Sequence, residues 1–467
     1  MKQGQDQLDA VERLSDLPNV TFLDSAMRHD ALGRYSYVAA DPFGSFFIRG
    51  GAASWNGRPI GGDPLTALKQ LMAAYAQERV MELPPFQGGA AGFFTYGLGR
   101  ILETLHAPSV CEQDYPDVVL HFYDVVLAYD HFLGRCWLIS TGFQEGDVAP
   151  CTARARTRAD QMLALVETRV KRPARVTENH VHAIDSRQWT SNFTRETYAE
   201  AVRKVIEHVL AGDIFQANIS QRFRAALGPS FDPWVFYRRL RLLNPSTFAA
   251  YLKYDDITVA SSSPERFLKV ERDQVEARPI KGTASRSATP VEDRKRADQL
   301  LASEKDRAEN LMIVDLLRND LSRVCRPNTV HTPVLCALES YASVHHLVSV
   351  VTGMLEDGKD AVDLLRASFP GGSVTGAPKV RAMDVITEIE RDARGLYCGS
   401  IGYLAFNGSA DLNIAIRTVV ISGGQAVFHV GGRITLLSDP ASEYEETLAK
   451  AERIFQAFNV VAHSGAA

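Results

Sequence analysis

Two side chains, separated by sixteen positions, carry the groups needed for a substitution reaction. Lys281 lies in the segment RPIKGT (278–283), and Glu265 lies in the segment SSPERF (262–267). A lysine amine becomes a nucleophile when desolvation or a nearby cation lowers its pKa, and a glutamate becomes a general acid when its pKa is raised. If both share one pocket, the chain performs substitution chemistry. Taken alone, Lys281 is better explained as a surface residue in a turn, because lysine is normally exposed.

Glu309 is predicted to face inward on a helix spanning about 303–324. The apolar residues Met312, Ile313 and Leu316 follow it by three, four and seven positions. At this spacing they share one face of the helix with Glu309, so its carboxylate points the same way as the apolar stripe. A buried carboxylate is costly unless a cation meets it. From this helix alone, an ion pair with an arginine such as Arg318 or Arg323 is the simpler explanation, and a metal ion is the alternative.

Glu443 and Glu446 lie three positions apart on a predicted C-terminal helix that begins near Ala441. Carboxylates at this spacing share one face and can jointly hold a hard cation. Mg²⁺ suits such a site because it binds one or two carboxylates, keeps waters and accepts substrate oxygens. An ordinary surface pair between Glu446 and Lys450, one turn further on, remains the competing interpretation.

Further polar residues are candidates for holding an anion. The turn 369–379 (FPGGSVTGAPK) offers free backbone N–H groups before a helix but lacks the G-K-[ST] ending of a P-loop. If the hairpin at Asn407-Gly408 has a three-residue loop, Tyr397 falls opposite Arg417, whereas a two-residue loop separates them. His346 would orient a substrate carboxylate or serve a structural role. Together these groups suit a carboxylated substrate held on a metal.

Composition limits the classes of protein that the chain can represent. Its 467 residues fit two to three domains, and a net charge of -5 argues against nucleic acid as the partner. Six cysteines without a C-x-x-C pair suit reduced thiols better than disulfides or zinc. The polar N-terminus lacks the apolar core expected of a signal peptide, and no apolar run approaches the length expected to span a bilayer. We expect a cytoplasmic protein.

The hydrophobic pattern predicts an α+β fold with mainly antiparallel sheets, packed as a sandwich and flanked by helices. Residues 1–142 form a β-rich N-terminal region, 143–190 a connector with one short helix near 161–170, and 191–467 the catalytic domain. The last third reads as strands 396–406, 412–421 and 426–430 joined by tight turns, which predicts an antiparallel meander.

Several ordered segments resemble one enzyme family. They are GDIFQ (212–216), SPERF (263–267), AENLM (308–312), GAPK (376–379) and EYEET (443–447). In these segments the chain resembles the chorismate-utilising enzymes, which include anthranilate synthase, aminodeoxychorismate synthase and isochorismate synthase. The resemblance runs from Ser191 to Lys450 and is looser over the N-terminal region. It implies an anthranilate synthase component I-like fold.

The resemblance implies specific roles for the candidate residues. Mg²⁺ would be held through Glu309 and Glu446, with Glu443 nearby, and would coordinate the ring carboxylate of chorismate. Glu265 would protonate the departing C4 hydroxyl, and Lys281 would be the nucleophile. The residues implied to line the site and hold the two carboxylates are His346, Ser373, Tyr397, Arg417, Gly432 and Lys450.

Position 281 distinguishes the branches of the family. Anthranilate synthases resemble this segment but carry alanine there, so Lys281 resembles the aminodeoxychorismate synthases, as does Asn218. Isochorismate synthases carry a water-activating lysine where this chain has Gln216, which disfavours that branch. One departure is Arg433 in GGRI (431–434), because the family usually has another glycine at this position. Its bulk is expected to alter the carboxylate pocket.

The resemblance implies that Lys281 attacks C2 of chorismate and that ammonia then adds at C4. The product, 4-amino-4-deoxychorismate, leads to p-aminobenzoate and folate. A separate glutamine amidotransferase would supply the ammonia, since no segment looks like a glutaminase. Two alternatives stay open, namely anthranilate formation with release of pyruvate and a non-catalytic scaffold that only binds a glutaminase.

Overall fold

The computed structural model describes residues 6–27, 32–147, 149, 151–167, 184, 186–341 and 344–458. Within these ranges the chain forms two large sheets and eleven α-helices, with labels numbered in chain order. The helices are α1 (Gln7–Leu14), α2 (Pro64–Ala74), α3 (Gly99–Leu102), α4 (Thr152–Glu167), α5 (Arg195–Leu210), α6 (Pro233–Leu243), α7 (Pro290–Ala302), α8 (Glu304–Ser322), α9 (Ala361–Ser368), α10 (Lys379–Glu390) and α11 (Pro440–Ala457).

The first sheet has eleven strands in the described part of the chain. They are β1 (Val20–Asp24), β2 (Tyr35–Ala39), β8 (Val125–Asp130), β9 (Arg135–Ser140), β10 (Thr190–Ser191), β11 (Gln216–Ala226), β12 (Phe248–Tyr254), β13 (Ile257–Ser263), β19 (Gly376–Ala377), β22 (Thr418–Ser422) and β23 (Gln425–Ile434). Their order is β10-β11-β23-β22-β13-β12-β1-β2-β8-β9, and β19 also pairs with β11.

The second sheet has twelve strands among the described residues. They are β3 (Gly44–Arg49), β4 (Ala52–Trp55), β5 (Arg58–Ile60), β6 (Gly89–Phe94), β7 (Val118–Tyr123), β14 (Arg266–Glu271), β15 (Gln274–Ala277), β16 (Ile280–Ser285), β17 (His331–Ser340), β18 (Val344–Met354), β20 (Ser400–Ala405) and β21 (Ala410–Asn413). Their order is β16-β18-β15-β14-β21-β20-β6-β7-β3-β4-β5, with β17 paired to β18.

The two sheets pack against each other and carry helices on their outer faces. Phe93 of β6 and Val119 of β7 share one buried cluster with Leu252 of β12 and Val259 of β13, so this cluster joins the sheets. A second cluster packs the first sheet against α1, α6 and α11, and a third packs the second sheet against α2, α8 and α9. The predicted α+β sandwich of mainly antiparallel sheets is therefore confirmed.

Each sheet contains strands from both ends of the chain. In the first sheet β1 pairs with β12, and in the second sheet β6 pairs with β20. The predicted division at 142 and 191 therefore does not separate the two sheets, and it stays a prediction. Within the predicted connector, α4 begins at Thr152 and ends at Glu167, while 168–183 lies outside the described residues.

The predicted meander is wrong in one respect. The expected strand 412–421 is two strands, because β21 belongs to the second sheet and β22 to the first. The chain crosses between the sheets at 414–417, where the Ile414 N–H donates to the Glu265 carbonyl at 3.0 Å and Arg417 adopts a φ of 51°. Alternation of apolar residues continues through this crossing, so the sequence pattern does not reveal it.

The hairpin joining β20 and β21 has the three-residue loop that would align Tyr397 with Arg417. The Ala405 N–H donates to the Ser409 carbonyl at 2.7 Å, which leaves 406–408 as the loop. β20 begins only at Ser400, however, so Tyr397 lies in the preceding turn and is not paired with Arg417 across a ladder.

No helix in the described part of the chain is long and apolar enough to cross a membrane.

Candidate active site

Lys281 lies in β16 beside an irregularity in the pairing with β18, and Gly282 follows it with a φ of 79°. Its Nζ donates to the Ser373 carbonyl at 2.7 Å. Burial, with the positive charge of Arg433 nearby, lowers the pKa of Lys281 from 10.5 to about 7, although Glu265 and Glu309 act in the opposite direction. Near neutral pH about half of the amine is therefore neutral and available as a nucleophile, unlike that of a surface lysine.

Glu265 occupies the link between β13 and β14 and is 6% exposed. The Ser373 side chain and the backbone of Ile280 hydrogen-bond its carboxyl group. Burial raises the pKa of Glu265, although Lys281 and these hydrogen bonds limit the rise. Glu265 and Lys281 are thus brought together around Ser373, with the pKa of the glutamate shifted toward its acid form and that of the lysine toward its neutral form.

The Glu265–Lys281 pair has two arrangements that contain the same number of protons. One is an ion pair, and the other is a neutral carboxylic acid beside a neutral amine. Both pKa shifts move the pair away from the ion pair and toward the neutral arrangement, relative to the same groups in water. A neutral pair supplies a proton donor and a nucleophile at the same time, which is what a displacement of a hydroxyl group requires.

His346 and Arg417 lie close to this pair. Nδ1 of His346, in β18, is 2.8 Å from the Thr283 hydroxyl, and burial together with the Arg417 charge lowers the pKa of His346 to about 4. Burial lowers the pKa of Arg417, and the Glu265 carboxylate opposes this change. At neutral pH the site therefore offers a neutral imidazole and a desolvated guanidinium, both suited to an anionic ligand.

Tyr397 lies at a more distant edge of this region. Its ring stacks on His429 at a centroid distance of 5.3 Å, and the Arg394 guanidinium lies 5.7 Å from the ring centre. Its hydroxyl interacts with the Asn218 side chain, and burial raises its pKa. The structure thus associates Tyr397 with β11 and β23 rather than with Arg417.

A second group of charges surrounds Gly432 near the end of β23. A Cβ atom built on Gly432 would lie 3.0 Å from Glu443 Oε2, 3.7 Å from Glu446 Oε1 and 3.9 Å from Lys450 Nζ. Lys450 Nζ lies 2.7 Å from Glu446 Oε1 and donates to the Gly431 carbonyl at 2.8 Å. Glycine at 432 therefore leaves the space into which both carboxylates of α11 project.

The two carboxylates of α11 differ in their electrostatic surroundings. Burial raises the pKa of Glu443, and the adjacent Glu446 carboxylate contributes to the rise. Burial also acts to raise the pKa of Glu446, but Lys450, supported by Lys305 and Lys281, holds it below its ordinary value. A cation placed between the carboxylates would relieve their mutual repulsion.

Glu309 of α8 faces inward as predicted, but its partner is neither of the arginines expected from the sequence. Arg433 Nη1 donates to Glu309 Oε2 at 3.0 Å, and both side chains are largely buried. Arg318 is instead 3.8 Å from Asp315. Arg433 thus occupies the region between α8 and the end of β23 that a shorter residue would leave open.

The carboxylates that converge over Gly432 are the type of ligand that Mg²⁺ prefers. Among the described residues, no group of three or more His, Cys, Asp or Glu side chains is arranged to hold a metal ion. Mg²⁺ needs only one or two protein carboxylates, because water and substrate oxygens complete its octahedron. The oxygens of Glu443 and Glu446 that converge over Gly432 meet that requirement, whereas Glu309 is engaged by Arg433.

The sequence reasoning missed two neighbours of the site. The Thr283 hydroxyl lies 2.8 Å from Nδ1 of His346, and Lys305 acts on both carboxylates of α11. Lys305 lies four residues before Glu309, so the predicted helix carried a signal for it. The contact of Thr283 joins segments that are distant in the chain.

Comparison with known proteins identifies the family of the chain. The family model for chorismate binding enzymes matches residues 27–456. The chain belongs to this family. A family member from Escherichia coli (strain K12), aminodeoxychorismate synthase component 1, is 41% identical over 95% of this chain and 94% of its own length. Anthranilate synthase component 1 from Aquifex aeolicus (strain VF5) is 35% identical over 95% of this chain and 90% of its length.

A solved structure of another family member has the same fold. Anthranilate synthase component I from Streptococcus pneumoniae TIGR4 superposes with a TM-score of 0.81 and 30% identity, covering 90% of this chain and 92% of its own.

Proposed function

We propose that the protein is the chorismate-aminating component of an aminodeoxychorismate synthase, which converts chorismate and ammonia into 4-amino-4-deoxychorismate. The observation that carries the proposal is the buried Lys281 amine, with a pKa of about 7, beside the Glu265 acid. The extended similarity to relatives named aminodeoxychorismate synthase component 1 supports the same choice.

In the proposed reaction the neutral Lys281 amine forms a bond to C2 of chorismate. The ring double bonds shift, the C4–O bond breaks, and protonated Glu265 gives its proton to the hydroxyl, which departs as water. Ammonia then forms a bond to C4, the double bonds shift back, and the C2–N bond to Lys281 breaks. The Glu265 carboxylate accepts a proton released by the added amine, so the net change is chorismate plus ammonia to product plus water.

The remaining residues bind and orient the substrate in this proposal. Arg417 holds a carboxylate, and His346 orients it as a neutral imidazole. Glu446 and Glu443, with Glu309, are the residues that would hold Mg²⁺. When bound, this ion supplies Lewis acidity toward the ring carboxylate. Gly432, Ser373, Tyr397 and Lys450 complete the proposed lining.

We further propose that a glutamine amidotransferase supplies the ammonia as a separate subunit and that the product leads to p-aminobenzoate and folate. The relative from Escherichia coli is named component 1, which is consistent with an enzyme made of more than one component. A reducing, cytoplasmic location suits the six cysteines, all of which are unpaired where the structure describes them.

Detection of the covalent intermediate tests the proposal. Protein incubated with chorismate and Mg²⁺, without ammonia, should gain the mass of chorismate minus water, and peptide mapping should place the adduct on Lys281. Lys281→Ala should abolish it, whereas Lys359→Ala, which removes an exposed lysine, should retain it. Complete absence of an adduct in the unmodified protein would exclude this mechanism.

Product analysis with an ammonium salt separates the two alternative functions. Release of pyruvate with formation of anthranilate would identify an anthranilate synthase, which the 35% identical relative makes the principal competitor. No turnover of chorismate with any nitrogen source would favour the non-catalytic scaffold. The expected result is 4-amino-4-deoxychorismate without pyruvate.

A further inference from the structure

Arg433 is a buried arginine with an unused donor group. It lies near the end of β23, opposite Asn218 of β11, and its side chain is 8% exposed. Nη1 binds Glu309, but Nη2 is buried and has no hydrogen-bond partner among the residues that the structure describes. Guanidinium groups present five N–H donors, so this ion pair leaves part of the donor capacity unused.

A second unsatisfied side chain lies at the same end of the paired strands. Gln216, at the start of β11, is 1% exposed, and neither its Oε1 nor its Nε2 has a partner in the described part of the chain. Gln216 and Asn218 are two residues apart and point to the same face of β11, and Asn218 is directly opposite Arg433. Buried polar atoms are almost always satisfied, so this cluster indicates a polar ligand.

The unused donor lies within electrostatic range of the reacting pair. The charge of Arg433 lowers the pKa of Lys281 and limits the rise in the pKa of Glu265. A planar guanidinium is the side chain best matched to a carboxylate, because parallel N–H groups meet both carboxylate oxygens. Nη2 therefore suits an anionic group of a molecule positioned over Lys281.

We propose that Arg433 binds a carboxylate of the substrate through Nη2 and fixes the dicarboxylate ring in line with Lys281. Arg433 is then a positioning residue that the family pattern, with glycine at this position, does not supply. The inference rests on the proposed function, since that function provides a substrate with two carboxylates. Glu309 holds Nη1 and so orients the guanidinium before the substrate arrives.

Steady-state kinetics with three variants test this role. Arg433→Gly and Arg433→Gln should raise KM for chorismate by about 10- to 100-fold, as expected for loss of a charge-assisted hydrogen bond. The kcat at saturating chorismate should fall as well, because loss of the Arg433 charge lets the pKa of Lys281 rise and lowers the neutral fraction of the amine; the change in KM therefore carries the test. Arg222→Lys is the matched control, since Arg222 is largely buried in β11 and paired with Asp392 at 2.9 Å.

Chemical rescue distinguishes binding from a structural effect. Guanidinium chloride at non-denaturing concentration should lower KM of Arg433→Gly toward the parent value, whereas neutral urea should not. A parental or lower KM in Arg433→Gly overturns the proposal, as does a raised KM that guanidinium and urea leave equally unchanged. If Arg433→Gly does not fold, the KM of Arg433→Gln decides, and a parental value there also overturns it.

The same experiment separates failure of this inference from failure of the proposed function. If the unmodified protein forms neither the Lys281 adduct nor the aminated product, the proposed function fails and the inference falls with it. If the unmodified protein does both and the Arg433 variants show parental KM, only the role of Arg433 is wrong.

Discussion

The pKa of the Lys281 amine provides the sharpest test of the site. At about pH 7.5, an amine with a pKa of about 7 is about 75% neutral, whereas one with the ordinary value of 10.5 is about 0.1% neutral. The structure therefore predicts a roughly 700-fold larger fraction of nucleophile than a surface lysine would offer. Burial is the largest cause, and Arg433 adds to it.

Competitive labelling with a small acylating reagent measures this pKa without depending on turnover. The protein is labelled across a pH series, digested and quantified by mass spectrometry, with exposed Lys359 as the internal reference. Acylation of Lys281 should reach half of its maximal rate near pH 7. A midpoint near 10.5, the ordinary lysine value, would refute the argument that burial activates this amine.

A substitution at Glu265 provides a second, independent test of the Lys281 pKa. The Glu265 carboxylate acts to raise the pKa of Lys281, so Glu265→Gln should move the labelling midpoint below that of the parent protein. The same variant should slow adduct formation, because the departing hydroxyl loses its proton donor. An upward shift of the midpoint would mean that Glu265 does not lie beside the amine as the structure describes.

Three further predictions concern the metal carboxylates and stability. Glu446→Gln should weaken Mg²⁺ binding by roughly 10- to 100-fold in calorimetry, while exposed Glu445→Gln should not; equal affinities would exclude Glu446 as a ligand. Gly432→Ala places a Cβ 3.0 Å from Glu443 Oε2 and should also weaken Mg²⁺ binding. The control Gly228→Ala, where nothing lies within 4 Å of the new Cβ, should leave Mg²⁺ binding unchanged. Unchanged Mg²⁺ affinity of Gly432→Ala would contradict the role of the space over Gly432. Lys281→Met should stabilise the fold by roughly 1–4 kcal/mol at about pH 6 and progressively less toward pH 10.5.

The sign of that last prediction follows from proton binding. The folded-state pKa of Lys281 lies below its unfolded value, so the unfolded chain binds more protons between about pH 7 and 10.5. Unfolding free energy of the parent protein therefore rises with pH across this window, and the advantage of Lys281→Met shrinks. Urea denaturation of both proteins at two pH values measures the difference, and an advantage that grows with pH would contradict the assignment.

Local patterns were sufficient to predict the elements that carry the site. The C-terminal helix predicted to begin near Ala441 is α11, which begins at Pro440. The apolar stripe of α8 correctly predicted that Glu309 faces inward, because helical periodicity fixes which residues share a face. The spacing of Glu443 and Glu446 likewise predicted that they share one face of the helix. Both carboxylates project into the space over Gly432.

Hydrophobic periodicity could not predict contacts between segments that are distant in the chain. The Arg433–Glu309 pair joins residues 124 positions apart, whereas the sequence favoured a nearer arginine such as Arg318 or Arg323. The crossing between sheets at 414–417 was missed because apolar residues continue through it on both sides. The position of Tyr397 depends on where β20 begins, and strand ends are poorly specified by pattern alone.

The site is organised as pairs of opposite charge that a substrate and a metal must exchange. Arg433 pairs with Glu309, and Lys450 pairs with Glu446. A dicarboxylate and a divalent cation add no net charge when they enter together, whereas either alone leaves buried charge uncompensated. Arg433 and Lys450 would then turn toward carboxylates of the substrate as their glutamates turn toward the metal. Because this exchange conserves the number of ion pairs, the protein can keep the Arg433 and Glu309 charges largely buried before the substrate arrives and still bind it tightly.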